Sequence, residues 1–74
     1  MWISYDAKIN AAYIGVVDVI EPGTSVTQVP VSSPVGDSDF ILDFDAEGRL
    51  VGIDVMGATR GLRPNTLASA RRHG

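Results

Sequence analysis

The chain has 74 residues, 45% hydrophobic and 20% charged, with nine acidic side chains, six Lys and Arg, one His and no Cys. A chain of this length is one domain with a small core, and the lack of cysteine excludes disulfides and thiolate metal sites together. The net charge of −3 is divided unevenly: residues 1–59 hold every acid against Lys8 and Arg49, while residues 60–74 hold Arg60, Arg63, Arg71 and Arg72 and no acid.

Residues 2–5, Trp-Ile-Ser-Tyr, are aromatic and β-prone and open a sheet. Asp6-Ala7-Lys8-Ile9-Asn10 is a turn, because Asp accepts backbone N–H groups two residues on and Asn tolerates a left-handed conformation. Residues 11–17 form a nearly continuous apolar run, the pattern of a strand covered at least partly on both faces. Gly15 within it marks close approach by another backbone or a bulge.

Glu21-Pro22-Gly23-Thr24 is a second turn. Residues 25–31 alternate as a strand, but Pro30 cannot donate to a ladder, which places this strand at an edge or a bulge. Residues 32–39 are a loop rich in Ser, Pro, Gly and Asp. Residues 40–44 and 50–56 flank Asp45-Ala46-Glu47-Gly48, where Gly48 suits the left-handed position of a turn plus bulge. On the second of these strands Val51, Ile53 and Val55 share one face, and Leu50, Gly52, Asp54 and Met56 the other. Apolar members on both faces predict a sheet covered on one side and paired with something on the other. Pro64-Asn65-Thr66 starts a short helix, with Asn65 or Thr66 as its cap.

The aromatic-Asp-Ala step Tyr5-Asp6-Ala7 recurs as Phe44-Asp45-Ala46, and overlaying the copies aligns Ile14 with Ile53 and Val16 with Val55. The expected fold is therefore mostly β (α+β). It is an antiparallel sheet built from two similar β-hairpins plus one strand, with a short C-terminal helix or coil. The sheet domain spans residues 1–59, and residues 60–74 are a basic helix or tail. A core this small rarely contributes more than about 3–5 kcal/mol, so a homo-oligomer is expected.

No residue set amounts to a catalytic, cofactor-binding or metal site, and the chain is not expected to be an enzyme or to need a cofactor. Asp43-Phe44-Asp45-Ala46-Glu47-Gly48 resembles the first half of a calcium loop. Its fifth position is the long Glu47 and its twelfth is Asp54 within a strand, so a hairpin tip with solvated carboxylates explains it better. Asp37, Asp39, Asp43 and Asp45 cluster in sequence without any sign that they converge. Asp6 and Asp45 recur as turn residues. His73 lies next to the end of the chain, without the held geometry that acid–base or metal chemistry needs. The four arginines on an acidic body make nucleic-acid binding unexpected. The longest apolar run is far too short to span a bilayer and no basic, then apolar leader opens the chain, so a cytoplasmic protein away from membranes is expected.

The second hairpin, from Ile41-Leu42-Asp43-Phe44-Asp45-Ala46-Glu47-Gly48-Arg49-Leu50 through Val51-Gly52-Ile53-Asp54-Val55-Met56-Gly57-Ala58-Thr59, resembles the signature of domain-of-unknown-function family 2283, a family of small bacterial proteins. Tyr5-Asp6, the polar turn and Ala11-Ala12-Tyr13-Ile14 resemble it as well, so the likeness covers about residues 2–60. The tail departs: members often run from an Ala-Ser step into a Leu-Pro segment, where this chain has Ala58-Thr59 and then Leu62-Arg63-Pro64. The resemblance implies a compact antiparallel sheet protein and carries no catalytic residue across. It also implies an alternative role, since some members are encoded beside small toxin-like proteins: an antitoxin-like module that neutralises a small basic toxin. The first expectation is a non-catalytic protein acting through self-association and one protein partner. The third is a weak calcium-binding hairpin at Asp43, Asp45 and Glu47.

Overall fold

The computed structural model describes residues 1–73. Strands β1 (Trp2–Asp6) and β2 (Ala11–Gly15) form the first hairpin, and β4 (Asp39–Phe44) and β5 (Leu50–Met56) the second. Strand β3 (Thr27–Ser32) lies between them in sequence, and α1 (Ala58–Gly61), α2 (Pro64–Ala68) and β6 (Arg71–His73) follow. The sheet runs β3-β4-β5-β2-β1-β6. Its neighbours are antiparallel except β6, which runs parallel to β1 with Ser4 opposite Arg71. Pro30 does lie on an edge strand. No helix among the described residues is long and apolar enough to cross a membrane.

Both hairpin turns are built by their aspartates. Asp6 Oδ1 accepts the Lys8 N–H at 3.0 Å, and Asn10 takes a φ of 51°. Asp45 Oδ1 accepts the N–H groups of Glu47 and Arg49 at 3.0 and 2.9 Å, and Gly48 has a φ of 79°, which only glycine adopts freely. The two hairpins meet through β2 and β5, where Ile14 lies directly opposite Ile53. These are the residues that the internal repeat aligns. An approximate twofold perpendicular to the sheet therefore passes between them, and it relates the two ribbons.

Helices α1 and α2 cover one face. Tyr5, Ala12, Val55, Ala58 and Leu67 form the buried cluster, with Ile14, Phe40, Ile53, Leu62 and Ala70 packed against it. Asn10 fastens the first turn to α1. Its carbonyl accepts the Ala58 N–H at 2.9 Å, its Oδ1 accepts from the Tyr5 hydroxyl and the Thr59 N–H at 3.1 and 3.2 Å, and its Nδ2 donates to Thr59 Oγ1 at 3.0 Å.

Several local expectations are corrected. The second strand ends at Gly15, so Val16 and Val17 leave it. The cap of α2 is Arg63, which makes no side-chain hydrogen bond, and Pro64 takes the first turn. Proline's φ suits that position and its missing N–H costs nothing there, which displaces Asn65 and Thr66 inward. Beyond the helix the chain returns to the sheet as β6, a parallel pairing that no local pattern announces. The side chains of Arg72 and His73 lie outside the described residues.

Ser38, at the foot of β4, is 5% exposed, and its Oγ is without a hydrogen-bond partner among the described residues. It is pressed under α1, where a Cβ on Gly61 would stand 2.8 Å from it. A buried hydroxyl without a partner carries its whole desolvation cost. Ser38→Ala is expected to raise stability by about 1 kcal/mol, read from urea unfolding; a loss of stability would mean that the hydroxyl is bonded.

Candidate functional site

The face away from the helices carries the most organised group of polar and aromatic side chains. Register places Trp2, Gly15, Gly52, Asp43 and Gln28 in one row across the sheet, and Ser4, Tyr13, Asp54, Ile41 and Pro30 in the next. Two rings lie over two glycines. Gly15 makes room for the indole of Trp2, and Gly52 for the phenol of Tyr13. An aromatic ring laid over a strand glycine restores the packing that the missing side chain forfeits. The approach expected at Gly15 is thus made by a side chain and not by a second backbone, and the bulge falls at Asp43/Phe44 instead.

Hydrogen bonds hold both rings. Trp2 Nε1 donates to the Val17 carbonyl at 2.8 Å, and Tyr13 Oη donates to Asp43 Oδ2 at 2.7 Å. Gln28 Nε2 donates to Asp43 Oδ1 at 2.9 Å, so a carboxylate only 6% exposed has a donor on each oxygen. The rings tilt against each other at 34° with centroids 5.7 Å apart. The Arg71 guanidinium sits 5.6 Å from the Trp2 ring centroid, a cation–π contact that ties β6 to this face. Met56 is exposed. The second face is thus partly covered by the chain's own aromatic rings, where the sequence suggested that another molecule covers it.

Asp54 stands opposite Tyr13. Burial pushes the Tyr13 phenol well above its ordinary range, and the bond to Asp43 and the charges of Asp43 and Asp54 add to this. Burial, and then the charge of Asp43, raise the Asp54 carboxyl, against the opposing effect of a Val55 backbone hydrogen bond. A carboxyl raised in the folded state binds its proton more readily folded than unfolded, so ionising it opposes folding. Asp54→Asn is expected to stabilise the protein by roughly 0.5 kcal/mol at neutral pH, the scale of one cross-strand charge contact. The gain should fade as pH falls through the raised folded value towards 3.8, the value of an unperturbed Asp. Thermal melts of both proteins across that range measure it, and a pH-independent gain would show that the charge is not the cause.

The residues of the calcium-like stretch do not converge. Asp43 turns into the second face, Asp45 closes its own turn, and Glu47 is exposed at the tip. Asp37 and Asp39 separate likewise: Asp37 Oδ1 accepts from Ser33 Oγ and Asp39 Oδ1 from Ser32 Oγ, both at 3.3 Å. No group of three His, Cys, Asp or Glu among the described residues is arranged to hold a metal ion, and no pocket opens among them. The arginines do not form one patch, since Arg71 lies on the second face and Arg60 and Arg63 flank the helices. Sequence reasoning missed the Trp2, Tyr13, Asp43 and Gln28 assembly. The available signal was a pair of glycines inside strands that each also carry an aromatic or acidic residue.

A family model described as "Protein of unknown function (DUF2283)" matches residues 2–58. No curated protein and no solved structure matches the chain. The matched span ends at Ala58, so Leu62, Leu67 and Ala70, which close the core over Tyr5 and Ala12, lie beyond it.

Proposed function

Because this chain belongs to the family described as "Protein of unknown function (DUF2283)", whose description prescribes no reaction, we propose that it is a non-catalytic interaction protein. It acts by associating with a second copy of itself and, in that form, engages one protein partner in the cytoplasm. The observation that carries this reading is strand β3, all six of whose residues are exposed. Val29 and Val31 are 42% and 47% exposed, and Val26 beside them is exposed as well. Apolar surface gathered on one strand of so small a body favours a partner. A structural use for the acids supports the non-catalytic part: Asp6 and Asp45 close turns, Asp43 holds Tyr13 and Gln28, and Asp37 and Asp39 each pair with a serine.

Light scattering on purified protein from micromolar to millimolar concentration tests the proposal. A dimer is expected, and a folded monomer throughout that range would end it. The acidic body, with a net −7 over residues 1–59, supports the antitoxin-like reading as the second. It is tested by pull-down with the product of the neighbouring gene. The calcium reading has the least support, because both oxygens of Asp43 and Oδ1 of Asp45 are already engaged; heat on titration with calcium would revive it.

A further inference from the structure

We infer that the outer edge of β1, with the Trp2 ring and Asp6 beside it, seats an extended segment of another protein that carries arginine at alternate positions. The segment lies where β6 lies and takes its place. This rests on the partner half of the reading above and names the chemistry and the seat of that partner.

Charge is sorted between the two faces of the sheet. Register puts Asp6, Asp39, Asp43 and Asp54 on the second face, and strands β1 to β5 add no Lys or Arg to it. On the helix side the same strands carry no charged residue. Lys8 lies in the turn after Asp6 and the Met1 amine before Trp2, one at each end of β1, and Arg49 lies in the turn before β5. The cation that the described side chains do set on this face is Arg71, 5.6 Å from the centroid of the Trp2 ring. An acidic face with aromatic rings attracts cations and repels phosphate. It therefore suits a basic polypeptide and not a nucleic-acid strand.

The chain's own C-terminal segment shows how such a ligand is held. Strand β6 has three residues and runs parallel to β1 only from Ser4 to Asp6. Ala70, just before it, packs against the helix-side core, which stops β6 short of Trp2. The edge of Trp2 and Ile3 thus has no strand beside it among the described residues. A separate segment has no such tether and can pair with all five residues of β1. Its alternate side chains then stand opposite Trp2, Ser4 and Asp6, on the acidic face. Main-chain bonds to a sheet edge supply affinity, and the alternate side chains supply specificity. The other edge of the sheet suits this mode less, because Pro30 within β3 lacks a backbone donor.

Trp2 is the chain's single tryptophan, so its fluorescence reports on the seat. The probe is a short synthetic peptide alternating Arg and Thr, titrated into the full chain at low salt. A Glu and Thr counterpart and single-stranded oligothymidylate, which stacks on exposed rings, are the controls. The Arg peptide should change the fluorescence saturably, and neither control should. Arg71→Ala removes the resident guanidinium and should tighten peptide binding about threefold. Asp6→Asn keeps an oxygen for the Lys8 N–H and should weaken binding about threefold at low salt, a difference that high salt removes. Circular dichroism and melting check that both variants stay folded. No response to the Arg peptide, or an equal response to either control, overturns the inference. So does an affinity that Arg71→Ala fails to raise, since β6 then does not occupy the seat, or one that Asp6→Asn leaves unchanged. A dimer that the Arg peptide dissociates would put β6 of a second copy on this edge; that overturns the foreign partner and leaves self-association standing. A protein that is monomeric by light scattering and still binds the Arg peptide ends self-association and upholds this inference.

Discussion

Gly52→Ala is expected to destabilise the protein by about 2 kcal/mol, although alanine is ordinarily the better strand residue by roughly 0.5–1 kcal/mol. The backbone of Gly52 needs no left-handed φ, so the effect is steric and local. A Cβ there would stand 2.6 Å from Cε2 and Cζ of Tyr13, and it would meet the hydroxyl as well. The phenol has to lift off the sheet, and the 2.7 Å bond to Asp43 goes with it. Asp43 then keeps one of its two side-chain donors while still buried, and a buried polar group stripped of a partner costs about 1–3 kcal/mol. Urea unfolding measures the total. The decisive comparison repeats Gly52→Ala in a Tyr13→Ala background, where the ring is gone. There the same change should be neutral or slightly favourable, so the cycle isolates the contact. An equal loss in both backgrounds would mean that Gly52 matters for some reason other than the ring above it.

Leu67→Ala carries the larger expected effect, about 2–4 kcal/mol, the usual range for deleting a buried leucine. Helix α2 has only five residues and its cap makes no side-chain hydrogen bond, so its own propensity contributes little and docking holds it in place. Leu67 is the docking residue, buried against the cluster of Tyr5, Ala12, Val55 and Ala58. In a domain whose whole core is worth about 3–5 kcal/mol, such a loss consumes most of the stability. The damage should spread to β6, which the helix delivers to the edge of β1. The readouts are the urea midpoint and amide exchange in β1, whose pairing with β6 from Ser4 to Asp6 should lose protection. A cost under about 1 kcal/mol would show that the C-terminal segment is not what closes the core. Self-association would raise the apparent stability of both variants with concentration, so the comparison belongs at one protein concentration below the dimer range.

The two hairpins, their turns and the edge position of Pro30 were legible in the sequence, because each depends on neighbouring residues. Asp bonds to N–H groups two and four positions on, Gly48 supplies a left-handed backbone, and Leu50 to Met56 alternate with the period of a strand. The internal repeat went further, since the residues it aligns, Ile14 and Ile53, face each other across the central pair. What makes the second face was not legible. Tyr13 and Asp43 are 30 positions apart, and their meeting depends on β5 lying between β2 and β4. Gly15 and Gly52 look like weak points of their strands until the rings above them are known.

Local residue preferences alone suffice for a small antiparallel sheet without disulfides, with acidic turns that serve their own backbones. The parallel return of β6 to β1, the aromatic rings over the second face and the reach of the helical lid come from long-range packing. The difference is one of range. Turn and strand preferences are properties of a few adjacent residues, whereas register, ring placement and the reach of a lid depend on which distant strands become neighbours.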